Sequence, residues 1–179
     1  MLRILIIIMF FCLSVKADQY DQRLENLFSQ LLITENETKI KTIKLKIWDI
    51  WHETNDPKIN ADFFRGIGLM HNGNLKESIK FFSKVIEKNP NFAEAWNKRA
   101  TVLYLMGEFE KSQKDIDKVL SLEKRHFGAL SGQGLVQTAL ENYQKAIDSY
   151  IETHKIYPAM ETPLMMIERL KIKIKKESI

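Results

Sequence analysis

The sequence predicts an all-α fold built as a stack of helical hairpins, and three observations carry that prediction. Residues 59–92, 93–126 and 127–160 align at a fixed period, so that Gly66, Ala100 and Gly134 coincide, then Leu75, Phe109 and Tyr143, then Ser78, Ser112 and Ala146, then Phe82, Ile116 and Tyr150. Within each unit the apolar residues recur at helical spacing and pause once near the middle. Breakers stand at that pause and at the unit's end, as Gly73, Gly107, Pro90 and Pro158 do. A unit of this size buries its apolar face only against its neighbours, so the chain reads as a solenoid.

The elements follow in chain order. In residues 1–17, Arg3 precedes an apolar run from Ile4 to Val15, and Val15-Lys16-Ala17 offers a small-residue cleavage site before Asp18. This is the pattern of a signal peptide, and the run is shorter than the roughly 20 apolar residues a membrane span needs. Periplasmic or secreted localisation after cleavage near Ala17 is the expectation. Residues 18–58 hold a helical pair, with Phe28, Leu31 and Leu32 on the first helix and Ile40, Ile43, Ile47, Trp48 and Trp51 on the second. The pair reads as a degenerate fourth unit, interrupted by the polar stretch Thr34 to Thr38, with the two tryptophans packed on the next repeat.

In the unit 93–126, Trp96, Ala100, Leu103 and Tyr104 mark a first helix, Gly107-Glu108 breaks it, and Phe109, Ile116, Val119 and Leu120 mark a second. Gly66, Ala100 and Gly134 are small because the two helices of a unit cross closely there. Gly73 and Gly107 suit a left-handed residue at a helix end; Glu141 holds that place in the third unit, and a looser turn is expected. Lys124 replaces the proline that ends the other units, so a more continuous run to Phe127 is expected. Leu164, Ile167, Leu170 and Ile174 mark a capping helix over 161–179 with a lysine-rich outer face.

These residues resemble the tetratricopeptide repeat, whose pattern runs W-x2-L-G-x2-Y, then A-x3-F, then P. Trp96, Ala100, Leu103, Ser112 and Ile116 match it in the second unit, Gly66, Leu69, Ser78, Phe82 and Pro90 in the first, and Gly134, Ala146, Tyr150 and Pro158 in the third. The stretch from Trp96-Asn97-Lys98-Arg99-Ala100-Thr101 to Arg125-His126-Phe127-Gly128-Ala129-Leu130-Ser131-Gly132 is also similar to small exported proteins of this repeat class in Gram-negative bacteria, a group without an agreed activity. Where the pattern has leucine, this chain has Arg65, Arg99 and Gln133. A half-buried guanidinium needs a carboxylate, and Asp115 stands opposite Arg99, so an Arg99–Asp115 structural pair is expected.

First helices of a stacked array line its concave side. By register the groove comprises Asn60, Phe63, Ile67 and Met70, then Glu94, Asn97, Thr101 and Tyr104, then Ser131, Leu135 and Thr138. Such an apolar, amide-rich surface suits an extended peptide or an amphipathic helix, with Phe63 and Tyr104 as anchors and Asn97 gripping the backbone. Chaperone-adaptor members of the family clamp a C-terminal carboxylate with lysines, arginines and asparagines; Phe63 and Ile67 occupy two of those places here, which argues against that mode. Arg125 and His126 beside the run Gly128 to Gly132 form a second candidate, for an anion, set against a tight packing seam.

The same sequence excludes other classes. Removing residues 1–17 takes away Arg3 and Lys16 and no acid, moving a formal charge of +4 two units towards neutrality. No dense basic face for nucleic acid is left. Cys12, the only cysteine, lies in the apolar run after Phe11, which argues against a lipid anchor and against disulfides. Histidines 52, 71, 126 and 154 lack metal-ligand spacing, and no serine, histidine and acid gather on a suggestive turn. The expectation is a non-enzymatic exported module with no cofactor, metal or small-molecule substrate, at most peripheral membrane contact, and a protein or peptide partner in its groove. The alternative is a structural subunit that docks through its convex face or terminal helices.

Overall fold

The computed structural model describes residues 21–177; the segment read as a signal peptide lies outside them. Nine helices follow one another among the described residues: α1 Arg23–Ile33, α2 Glu37–His52, α3 Pro57–His71, α4 Leu75–Lys88, α5 Ala93–Leu105, α6 Phe109–Leu122, α7 Phe127–Ala139, α8 Tyr143–Ile156 and α9 Glu161–Glu177. The pairs α3–α4, α5–α6 and α7–α8 are the three hairpins, each packed on the next, with α9 on α8. No helix among the described residues is long and apolar enough to cross a membrane.

Helix starts are set by side chains that accept the free N–H groups of a first turn. Asn36 Oδ1 accepts from Lys39 N at 2.9 Å, and Asp56 accepts from Lys58 N and Ile59 N, with Pro57 in the first helical position where its missing N–H costs nothing. The hairpin turns repeat a single design. Gly73 N and Asn74 N bond Met70 O and Leu69 O; Gly107 N and Glu108 N bond Tyr104 O and Leu103 O; Glu141 N and Asn142 N bond Thr138 O and Gln137 O. Glu141 is thus not looser than the glycines. It takes the same left-handed turn at φ 60°, beside 73° and 77° for Gly73 and Gly107, because the same two carbonyls must be satisfied.

The break between units is likewise shared. α6 stops at Leu122 and α7 begins at Phe127, with Glu123 N bonded to Val119 O and His126 N to Glu123 O, as Asn89 N is to Val85 O and Phe92 N to Asn89 O. The expected continuous run through Lys124 does not form. Glu123 stops it: its carboxylate accepts from Arg125 N at 2.9 Å and turns the chain.

The small-residue column is explained by what faces it. A methyl built on Gly66 would lie 2.8 Å from the Phe82 ring, and one on Gly134 would lie 2.5 Å from the Tyr150 ring. In the middle unit the facing residue is Ile116 rather than an aromatic ring, and Ala100 fits. Ser78 and Ser112 fasten the same crossing by donating from Oγ to Gly66 O and Ala100 O, each at 2.8 Å.

The N-terminal pair is helical, yet it does not stack as a preceding unit. α1 rests on α8 and α2 on α5, so the hairpin folds back over the second and third units. Leu24, Phe28, Leu31, Ile40, Ile43, Ile47, Ile50 and Trp51 form one core with Phe127 and Tyr157. At the other end, α9 buries Pro163, Ile167 and Leu170. Leu164, expected inside with them, is on the outer face and 46% exposed, since its place on the helix turns it away from α8.

Candidate functional site: the first-helix face

α3, α5 and α7 line one face of the stack, and α2 divides it. Over the beginnings of α5 and α7 the face is sealed. Trp51 stacks on the His126 ring at 4.1 Å with the planes 8° apart, Trp48 meets Phe127 edge-on at 5.5 Å, and Lys98 lies over Trp48 at 5.0 Å. Gly128 gives the room for this: a methyl there would come 2.8 Å from Trp48.

Beneath the tryptophans lies a charged group with no access to water. Glu94 Oε2 accepts from Asn97 Nδ2 at 3.0 Å and lies 2.8 Å from His126 Nε2, while Oε1 has Lys98 Nζ at 2.9 Å and His52 Nε2 at 3.3 Å. The two contacts to Oε1 are at ion-pair distance without hydrogen-bond alignment. Ala129 N donates to His126 Nδ1 at 3.0 Å, which makes Nδ1 an acceptor and places the ring proton on Nε2, aimed at Glu94. Burial pushes the Glu94 carboxyl up, and Lys98, His126 and His52 more than reverse this, holding it well below the usual carboxylate range. Both ring nitrogens of His126 are engaged, and among the described residues no group of three His, Cys, Asp or Glu is placed to hold a metal ion.

Beyond α2 the face is open. A small cleft of about 60 Å³ lies between α5 and α7, with Asn97, Thr101, Tyr104, Gly132 and Leu135 in its wall. Thr101 and Leu135 are exposed, Tyr104 and Ser131 half-buried. Four of the residues assigned to the groove therefore meet at one place, with Ser131 outside that wall. Asn97 is there but buried, its amide spent on Glu94, so it does not grip a ligand backbone.

Three others belong to a different environment. Phe63 is fully buried, 4.8 Å from the Phe92 ring and 5.8 Å from those of Phe82 and His52, and Ile67 and Met70 pack half-buried on the same core. Register places Phe63 on the correct helix face; the start of α5 and the end of α2 then cover it. The anion candidate is also filled from within. Arg125 reaches Glu123 and Glu25, and His126 is enclosed against Glu94, which leaves the packing-seam reading.

Arg99 joins Asp115 across α5 and α6, with Nε donating to Oδ2 at 2.7 Å and Nη2 to Oδ1 at 2.8 Å; Nη1 donates to Ser83 Oγ, and Trp96 stacks beneath the guanidinium. Gln133 repeats the arrangement in weaker form, accepting from Ser149 Oγ at 3.0 Å. Sequence reasoning did not find the His52–Glu94–His126 cluster. The available signal was a glutamate at the start and a histidine at the end of one unit, 93–126, which the starts of successive first helices bring side by side.

A run of antiparallel helix pairs, each locked by small-residue crossings, is the architecture of a helical-repeat scaffold. The tetratricopeptide repeat family model matches residues 81–114. A TPR repeat-containing protein of Rhizobium etli is 33% identical over 153 residues, covering 86% of this chain and 75% of that protein. Hsp70-Hsp90 organizing protein 3 of Arabidopsis thaliana is 28% identical over 114 residues, 64% of this chain and 20% of its own length, so the chain spans about a fifth of that relative. Among solved structures, the first TPR of Spaghetti (RPAP3) bound to an HSP90 peptide superposes with a TM-score of 0.64 at 17% identity, covering 66% of this chain and 94% of that one. The Sgt2 TPR domain from Aspergillus fumigatus gives 0.65 at 18%, covering 69% and 83%. The chain belongs to the tetratricopeptide repeat family.

Proposed function

We propose that this protein is an exported, non-enzymatic protein–protein interaction module that takes a short, uncharged peptide segment into the cleft between α5 and α7. The cleft itself carries the reading. It is the part of the first-helix face that α2 leaves open, and its wall holds no charged side chain. An apolar anchor from the partner enters beside Tyr104 and Leu135, and Thr101 offers a hydroxyl at the rim. Similar solved domains include two with Hsp-derived peptides bound, which supports peptide recognition on this fold. The carboxylate-clamp mode is not assigned here: Phe63 is in the core, Asn97 is spent on Glu94, and Ser131 and Leu135 supply no cation. Export rests on the apolar segment before Asp18, and N-terminal sequencing of the purified protein tests it by starting at Asp18 or at Met1.

Capture of partners by the purified protein, beside a Thr101→Arg/Leu135→Glu variant with an unchanged circular dichroism spectrum, tests the cleft. A partner held by the first and lost by the second supports the reading. Equal capture by both overturns it and moves the interface to the convex face or the terminal helices.

A further inference from the structure

The outer face of α9 differs from what a capping helix requires. A terminal helix ends an array by turning a polar face to water, yet Leu164, Met165 and Ile172 are 46%, 51% and 56% exposed on the side of α9 that no described element covers. Glu161, Met165, Glu168 and Ile172 recur along that side at four- and three-residue spacing, the seam along which two helices pack. The patch does not stop at α9. Leu164 lines a cleft with Leu32 and Ile33 at the end of α1, themselves 50% and 81% exposed, and the rim carries Glu35, Glu37 and Glu161.

Charge runs along this seam in one direction. Its beginning is acidic, at Glu161 and the adjoining Glu35 and Glu37; its end is basic, at Lys175 and Lys176. A surface with an acidic end, an apolar middle and a basic end is complementary to itself when turned end for end, which is the requirement for an isologous two-fold contact.

We infer that the outer face of α9 pairs antiparallel with α9 of a second copy of this chain. With the two-fold axis between Glu168 and Arg169, Glu168 meets Arg169 of the second copy, Met165 meets Ile172, and Glu161 meets Lys176, each contact occurring twice. The present partner of Glu168 is Lys171 at 2.9 Å within the same helix, an exposed pair that is readily exchanged. The second copy covers the apolar side of α9 that no described helix covers.

Sedimentation equilibrium of the purified protein at low and high salt tests this. The wild-type chain is expected to dimerise, less so at high salt. Glu161→Lys alone and Lys176→Glu alone each place like charges together twice per dimer and weaken association about tenfold. An equal mixture of those two chains is expected to form a heterodimer of near wild-type strength, because each then offers the charge the other lacks. Ile172→Glu, whose fold is checked by circular dichroism, abolishes the dimer. A wild-type chain that stays monomeric, single variants that associate as wild type does, or a mixture no stronger than its parts would each overturn the proposal. None of these outcomes touches the cleft between α5 and α7.

Discussion

At one end of the array α1 and α2 turn back onto the first-helix face, enclose Trp51 and seal a charged cluster; at the other, α9 lies on α8 and leaves three large apolar side chains half exposed. Both ends carry an apolar side that meets no further repeat among the described residues. The N-terminal end solves it within the chain by covering units two and three. The C-terminal end leaves its seam for a second molecule. The difference teaches that terminal helices of a solenoid need not be inert lids: position in the stack decides whether an apolar face becomes core or interface.

Trp51→Ala is expected to break the comparison most sharply. The side chain is 1% exposed and central to the hairpin's seat, and its loss should cost about 4 kcal/mol. Hydrogen exchange should show α1 and α2 losing protection while α4 and α6 keep theirs. Glu94→Gln comes next, at about 2 to 3 kcal/mol in urea unfolding, since Lys98 loses its counter-charge and the His126 Nε2–H its charged acceptor. Its pH dependence has a definite sign. The folded carboxyl is held below its ordinary value of 4.5, so its contribution is complete above that value and is lost as pH falls through the folded titration. The gap between wild type and Glu94→Gln should therefore narrow on acidification.

A smaller effect of the opposite sign is expected at the turn of the third unit. Glu141 holds φ 60° where the other units have glycine, and Glu141→Gly should raise stability by about 1 kcal/mol in thermal unfolding. At the C-terminal end, Ile172→Glu should change the monomer's unfolding free energy by less than about 0.5 kcal/mol. A large loss there would place Ile172 in the core and erase the contrast between the ends.

The repeats were legible because period, breaker and crossing residue all report on local packing. Gly66 with Phe82 and Gly134 with Tyr150 are contacts within one hairpin, the partners standing sixteen positions apart in sequence. Arg99 and Asp115 lie within the same span. The seat of the N-terminal hairpin was not legible for the converse reason: Trp48, Trp51 and His52 meet residues far along the chain, and no periodicity records such a meeting. That is also why Phe63 and Asn97 were placed in an open groove. Register gives the face a side chain points to, whereas the elements that arrive to cover it are set by tertiary docking. Leu164 shows the same limit in reverse, an apolar residue at a plausible core spacing that points to the uncovered side.

Arg125 and Glu25 touch at 2.8 Å across a separation of 100 residues. On the ribosome, the helices that emerge earliest wait for most of the chain before their docking surface exists. Local hairpins such as α3–α4 close as soon as they are made, while the tryptophans of α2 stay uncovered until Phe127 and Tyr157 have been synthesised. The first described helices thus settle only once the third repeat exists, and the Arg125–Glu25 contact joins an early part of the nascent chain to one made a hundred residues later.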